Sequence, residues 1–134
     1  MNKDRFFTLA RNASEFSDSP KFKMGAVAVY KSRVIAVSFN KTKGCPIQEK
    51  YNVYRGFEIP FNRYGTHAEM GCISQIMNLD IDFSKVHIYV YRENKNGDLA
   101  MAKPCPACEK AMRDLGIKNV DYTCINGKTS ITYV

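Results

Sequence analysis

Two short stretches decide how this sequence folds: Thr66-His67-Ala68-Glu69 and, later in the chain, Pro104-Cys105-Pro106-Ala107-Cys108. His67, Cys105 and Cys108 offer an imidazole nitrogen and two thiolate sulfurs, which are donor atoms that zinc prefers. Three protein ligands leave the fourth tetrahedral position open for water, as in catalytic rather than structural zinc sites. The sequence therefore predicts one zinc ion in a site shared by two segments.

Both stretches are predicted to begin helices. Thr66 is a favourable N-cap residue, so residues 67–69 would form a first helical turn. Cys105 and Cys108 are three positions apart, which places them on one face of a second helix start. The positive ends of the two helix dipoles would favour thiolate over thiol. A simpler interpretation of Thr66 and Glu69 is a capping box, in which Glu69 only closes the helix start.

Taken together, the two stretches match the pattern H-x-E…P-C-x-x-C, and at these residues the chain resembles the cytidine and deoxycytidylate deaminase superfamily. The resemblance implies hydrolytic conversion of cytosine to uracil, with Glu69 moving protons between water, ring nitrogen and leaving ammonia. It also implies that the backbone of Ala68 and of Pro104 reads the edge of the base, and that the strand beginning at Met24 lies under it.

Two polar residues beside these segments are further candidates for substrate contact. Asn40 ends a predicted strand, and ligands of open α/β sheets gather beyond strand ends. The resemblance implies that Asn40 holds the sugar of the substrate, whereas its residue type alone indicates a turn former. Thr66 precedes the first zinc ligand and is expected to border the substrate as well.

Apolar periodicity predicts the element order α-β-β-α-β-α-β-β, which is typical of a layered α/β sheet. The predicted elements are a helix at 3–16 with Phe16 in its core stripe, strands at 24–30 and 34–39, a helix at 67–79 with Met77 buried, a strand at 86–91, a helix at 105–115, and strands at 120–125 and 128–134. The order resembles the cytidine deaminase-like three-layer fold, with a central five-stranded mixed sheet flanked by helices and a C-terminal antiparallel hairpin. Residues 1–134 are expected to form a single zinc-dependent deaminase domain.

The composition is that of a soluble globular protein, with 45% hydrophobic and 25% charged residues. No apolar run reaches the 18 residues of a membrane span, and the first residues lead into an amphipathic pattern rather than a signal peptide. The five cysteines are expected to be reduced thiols, except for the two zinc ligands, which predicts a cytoplasmic protein.

The net charge of +7 is unevenly distributed, since residues 1–65 hold 12 Lys or Arg and 5 Asp or Glu, whereas residues 66–134 hold 8 of each. Basic and aromatic residues alternate through residues 41–65, a composition that binds single-stranded nucleic acid by stacking. The candidate contacts are Lys41, Lys43, Arg55, Arg63 and Tyr64. This pattern favours cytosine in single-stranded DNA or another nucleic acid as the substrate. The alternatives are a free substrate, cytidine or dCMP, and a loop that packs on its own side chains.

Two other functions remain compatible with the zinc ligands. A zinc-stabilised binding module without enzymatic activity would need a fourth protein ligand, for which Cys45 is the candidate, and it would leave Glu69 without a role. A zinc hydrolase acting on a ring other than a nucleobase is the second. These alternatives differ in whether the metal keeps an open coordination position.

We predict one tightly bound zinc ion per chain, and loss of most of that zinc when Cys105 is replaced by Ala, because two ligands cannot close a zinc site. Elemental analysis of the purified protein and of the variant measures this directly. Full zinc occupancy in Cys105→Ala would show that Cys105 is not a ligand.

Overall fold

The structure is a computed structural model that describes residues 3–19, 22–55 and 65–133. Within these ranges the helices are α1 (Lys3–Ser14), α2 (Pro46–Tyr51), α3 (Ala68–Ile76) and α4 (Pro106–Leu115), and the strands are β1 (Lys23–Tyr30), β2 (Arg33–Phe39), β3 (Val86–Glu93), β4 (Asn119–Cys124) and β5 (Gly127–Thr132). Short 3₁₀ turns at Asn52–Arg55 and Phe83–Lys85 complete the regular structure of the described residues.

The strands of the described residues form one mixed sheet in the order β2-β1-β3-β4-β5. β3 and β4 are parallel, and the other neighbours are antiparallel. Lys31 and Ser32 turn the first hairpin with φ values of 50° and 68°. Ile125 and Asn126 turn the last hairpin, between the paired residues Cys124 and Gly127. The predicted five-stranded mixed sheet with a closing antiparallel hairpin is confirmed.

Helix α1 covers one face of the sheet. Its buried residues Phe6, Phe7 and Ala10 pack against side chains of β1 and β3, including Val27 and Tyr89. The predicted helix is two residues longer than the observed one, and the placement of Phe16 in the core is wrong. Phe16 is 74% exposed, because the helix ends at Ser14. Its ring lies tilted beside that of Phe39, at a centroid distance of 6.1 Å.

Helices α3 and α4 cover the opposite face, over a larger apolar core that includes Met70, Ile73 and Ile76 of α3. Met77 was predicted to belong to this stripe, but it is 41% exposed. The reason is that α3 ends at Ile76, so Met77 is the C-cap residue and leaves the buried face. With α1 on one face and α3 and α4 on the other, the three-layer arrangement is confirmed.

Residues 41–65, interpreted from the sequence as a long loop, contain the short helix α2. Pro46 is at its start, where a missing N–H costs nothing. Tyr51 is buried, and its hydroxyl donates a hydrogen bond to Asp114 of α4 at 2.9 Å. This part of the segment is therefore packed against the second motif helix and is not an open loop.

His87 of β3 has contacts that indicate a structural role. Its Nε2 lies 2.6 Å from Oδ1 of the buried Asp121, and its ring stacks on Tyr89.

None of the helices in the described ranges has the length and apolar composition needed to cross a bilayer.

Gly25 of β1 is required by the approach of α1. A Cβ added to Gly25 would lie 1.8 Å from the carbonyl oxygen of Ala10 and 2.9 Å from the backbone nitrogen of Ser14. Both atoms belong to the helix backbone, so no side-chain rotation relieves the overlap. The small residue at this position therefore serves the packing of α1 on the face away from the motif helices.

We predict that Gly25→Ala lowers the free energy of unfolding by about 3 kcal/mol or more, because overpacking against backbone atoms forces a helix to move. Gly97→Ala is the control: its Cβ would meet nothing within 4 Å, although φ is 84°, so we expect a loss of only about 1–2 kcal/mol from backbone strain. Urea unfolding of both variants gives the comparison. Equal losses would mean that α1 does not rest on Gly25.

Candidate active site

The predicted zinc ligands converge at the starts of α3 and α4. His67 is the N-cap residue of α3 and Cys105 is the N-cap residue of α4, with Cys108 in the first turn of α4. The Nδ1 atom of His67 lies 3.6 Å from the Sγ atom of Cys105 and 3.3 Å from that of Cys108. The three donor atoms all lie within 4.8 Å of one another.

These distances fit a zinc ion. Tetrahedral coordination with a Zn–S bond of 2.3 Å and a Zn–N bond of 2.0–2.1 Å separates sulfur from nitrogen by about 3.6 Å. The separations of 3.6 and 3.3 Å are those of a site that zinc can enter with little rearrangement. In the described part of the chain no further Cys, His, Asp or Glu joins this cluster.

The Cys105 sulfur is poised to be a thiolate. Its pKa is lowered to about 3, chiefly because the Cys108 side chain hydrogen-bonds to it, with further hydrogen-bonding and electrostatic contributions from His67. Thiolate is the form that binds metal. The N-terminal position of Cys105 on α4 places it where a helix favours negative charge.

Glu69 lies beside the cluster in a fully desolvated position. It is 2% exposed, and its Oε1 atom has no hydrogen-bond partner among the described residues. Burial raises the pKa of this carboxyl, while the positive charge of His67 opposes the rise. A buried carboxylate with one unsatisfied oxygen is costly unless a ligand or water uses it.

The capping-box interpretation is wrong. The N-cap residue of α3 is His67, whose carbonyl accepts the first helical hydrogen bond, from Gly71 N–H at 3.0 Å. Thr66 lies one residue too early for the predicted cap. Its hydroxyl donates instead to the carbonyl of Lys43 at 2.8 Å. Glu69 is therefore not engaged in closing the helix start.

The cysteines outside the motif stay apart from the site. Cys45, the candidate fourth ligand, is the N-cap residue of α2 and does not join the donor cluster. Cys72 is buried on α3, and burial raises the pKa of its thiol. No disulfide joins the cysteines of the described ranges.

Asn40 has a structural role that the sequence did not indicate. Its Oδ1 atom accepts a hydrogen bond from Met24 N–H at 2.8 Å, and its Nδ2 atom donates to the carbonyl of Phe22 at 3.2 Å. The side chain thus ties the end of β2 to the start of β1. Both ends of the amide are occupied, and a contact of Asn40 with the sugar stays a prediction.

Of the other predicted substrate contacts, Thr66, Ala68 and Pro104 adjoin a zinc ligand in the chain, and Met24 packs on the core. Ala68 is the first residue of α3, so its N–H is one of those without an acceptor inside the helix. Pro104 is buried immediately before Cys105, and Met24 is partly buried against the core under α3 and α4. Thr66 is buried, with its hydroxyl already occupied. Contact of these four residues with the substrate stays a prediction.

The predicted nucleic-acid contacts are only partly within the described residues. Lys41 and Lys43 are exposed, and the ammonium of Lys41 lies 5.2 Å from the centroid of the Phe39 ring. The Arg55 side chain, Arg63 and Tyr64 lie outside the described residues. The structure thus brings two exposed cations to the segment that pairs with Thr66.

Gln48 was not among the functional residues predicted from the sequence. This residue of α2 is fully buried, and its Oε1 atom accepts a hydrogen bond from His67 N–H at 2.9 Å. A glutamine in a segment full of polar and aromatic residues carries no local signal. Its connection to the site is visible only in the structure, where its side chain lies next to the backbone of His67.

An α/β fold that brings one imidazole and two thiolates together at two helix starts, beside a buried glutamate, has the parts of a zinc-type hydrolase. A sequence profile of the family described as "Cytidine and deoxycytidylate deaminase zinc-binding region" matches residues 1–124. The chain belongs to this family, which confirms the resemblance seen in its two motifs and the prediction of zinc. No curated protein has a sequence that matches this chain significantly.

Several solved structures of similar fold are cytidine or dCMP deaminases. The cytidine deaminase from Burkholderia pseudomallei is 18% identical, with a TM-score of 0.67 over 98% of this chain and 93% of that chain. The dCMP deaminase from the cyanophage S-TIM5 in apo form is 20% identical, with a TM-score of 0.62 over 90% of this chain and 80% of that chain. The same cyanophage enzyme in complex with dCMP and dUMP gives a TM-score of 0.61 at 20% identity, over 90% of this chain and 79% of that chain. At these identities the likeness shows the fold.

We predict that Glu69→Gln lowers turnover by about 10²–10⁴-fold, because the amide cannot accept and return a proton. Zinc content should stay at the wild-type level, since Glu69 is not part of the donor cluster. Glu109→Gln is a matched control: it also adjoins a zinc ligand, but its carboxylate pairs with Arg113 at 3.6 Å. A normal rate in Glu69→Gln would exclude it from proton transfer.

Proposed function

We propose that this protein is a zinc-dependent hydrolytic deaminase that converts cytosine to uracil in a free nucleoside or nucleotide. The observation that carries the proposal is the buried Glu69, with an unpartnered oxygen beside a cluster of three zinc ligands. A structural zinc site has no use for such a carboxylate. A hydrolytic site needs one to move protons.

In the proposed reaction, the metal ion, Glu69 and two backbone groups have separate roles. When bound, zinc supplies a water nucleophile with a pKa near 7. Glu69 takes a proton from the water that adds to the carbon bearing the amine, and gives this proton to the ring nitrogen. It then carries the second proton, from the hydroxyl formed at that carbon, to the amine, which leaves as ammonia while the carbonyl forms. Ala68 N–H and the Pro104 carbonyl hold the base edge, and burial keeps bulk water away from the Glu69 carboxylate.

A free substrate is favoured because part of the expected stacking surface is not available. Tyr51 is 8% exposed, and its hydroxyl is held by Asp114, so its ring cannot stack on a base. Tyr54 is more exposed, but it packs beside Tyr51 at a centroid distance of 5.9 Å. The cyanophage relative was solved with dCMP and dUMP, which supports a mononucleotide-sized substrate in this fold.

Cytosine in single-stranded nucleic acid is the second candidate. The observation in its favour is that Lys41 and Lys43 are exposed next to the strand-like pairing of Lys41 with Thr66, one residue before the first ligand. Two cations at that place would attract phosphates flanking a cytosine. The excess positive charge of residues 1–65 adds to the attraction.

We predict faster ammonia release from cytidine, deoxycytidine or dCMP than from any cytosine-containing oligonucleotide. The preferred free substrate should show a shallow salt dependence of its apparent affinity, because at most one phosphate is bound. A polymer would lose affinity with a slope near −0.7 per phosphate contact. Kinetics over a range of salt concentrations, with inactive Glu69→Gln as the control, measure both quantities.

The double variant Lys41→Gln with Lys43→Gln separates the two candidates. Unchanged kinetics on nucleoside together with weak oligonucleotide turnover support the free substrate. If oligonucleotides are the better substrates and the double variant flattens their salt slope, the polymer is the substrate. Absence of ammonia release from every cytosine compound would contradict cytosine deamination itself.

A further inference from the structure

The two hydrogen bonds of the Gln48 side chain fix the orientation of its amide group. The residue is fully buried in α2, its Oε1 atom accepts from His67 N–H at 2.9 Å, and its Nε2 atom donates to Asn52 Oδ1 at 2.8 Å. A backbone N–H can only donate, so the atom facing His67 must be the amide oxygen. Asn52, which follows α2, holds the nitrogen on the other side.

The hydrogen bond to His67 fills a position that α3 cannot fill itself. In a capping box, the side chain of the third helical residue accepts from the N–H of the N-cap residue. That third residue is the apolar Met70 here, since His67 is the N-cap residue. Gln48 supplies the missing acceptor from another element. Glu69, one position too early for this task, stays available for proton transfer.

Helix α2 is joined to both motif helices. On the side of α3, Gln48 of α2 accepts from His67 N–H at the helix start. The segments that lead into the two helices are also paired, since Lys41 and Thr66 exchange two backbone hydrogen bonds of 2.9 Å. On the side of α4, Tyr51 binds Asp114. Because α2 is in contact with both, it couples the position of the histidine ligand to the helix that carries the two thiolates.

We propose that Gln48 is a positioning residue for the metal site. Its amide oxygen fixes the main chain of His67 so that Nδ1 stays within bonding range of a zinc ion held by Cys105 and Cys108. Residues that orient metal ligands, when replaced, typically reduce metal affinity about 10–100-fold. The inference depends on the zinc site and not on which cytosine compound is the substrate.

The test is zinc affinity measured by competition with a chromophoric chelator, without substrate. Gln48→Met keeps the size of the side chain but lacks the acceptor, and we expect zinc to bind about 10–100-fold more weakly. Gln48→Glu retains an acceptor for His67 N–H and should bind zinc within a few-fold of the wild type. Cobalt-substituted protein should report the same order, with altered ligand-field absorption only in Gln48→Met.

Gln75→Met is the matched control. Gln75 is an exposed glutamine of α3 whose amide is likewise bonded to the main chain, since its Nε2 atom donates to the carbonyl of Val37 at 2.9 Å, but it is not bonded to a zinc ligand. We expect wild-type zinc affinity in this variant. An equal loss of affinity in Gln75→Met would overturn the proposal, because the effect would then be one of general stability.

Other outcomes also decide the matter. Wild-type affinity in a folded Gln48→Met protein, as judged by circular dichroism, overturns the proposal, as does equal weakening in Gln48→Glu. If Gln48→Met does not fold, Gln48→Asn replaces it: the shorter side chain keeps an amide, but its oxygen no longer reaches His67 N–H, and zinc should bind more weakly. Wild-type affinity in Gln48→Asn would then overturn the proposal. A failed deaminase assay leaves these measurements intact.

Discussion

The constraint on which the structure depends is that the N-terminal ends of α3 and α4 lie side by side, so that their ligands reach one metal ion. Zinc accepts its donors only at fixed distances, so the Nδ1 atom of His67 must lie within 3.3–3.6 Å of two sulfurs that come from another helix. The antiparallel pairing of β1 with β3 brings Lys23 opposite Glu93, so β1 begins where β3 ends. Met24 and Asn40, two predicted substrate contacts, therefore lie beside the C-terminal end of β3, after which the chain continues to the cysteine motif.

This arrangement explains why one carboxyl oxygen of Glu69 can be buried without a hydrogen-bond partner. The residue is held in the first turn of α3, and nothing at the helix start requires its carboxylate, because Gln48 accepts from His67 N–H in its place. Burial then raises its pKa, which brings the carboxyl closer to the range in which a proton can be both taken and returned near neutral pH.

Much of this could be predicted from the sequence. The spacing of Cys105 and Cys108, with a proline between them, indicated a helix start bearing two ligands, and alternating apolar runs indicated the strands. These signals are local, because they reflect the periods of helix and strand and the donor chemistry of single side chains. The errors were local as well. Phe16 and Met77 were assigned to the core from periodicity, but their helices end before the periodic pattern does.

Residue types and their spacing along the chain determined the donor set, the glutamate beside it and the order of the elements. Tertiary structure alone decided that α2 packs between the motif helices, that Gln48 contacts His67, that Tyr51 is buried and that Asn40 ties two strands together. Each of these contacts joins residues far apart in sequence, such as Tyr51 and Asp114. Their formation depends on which surfaces the packed sheet brings together, and no local periodicity or side-chain chemistry encodes that.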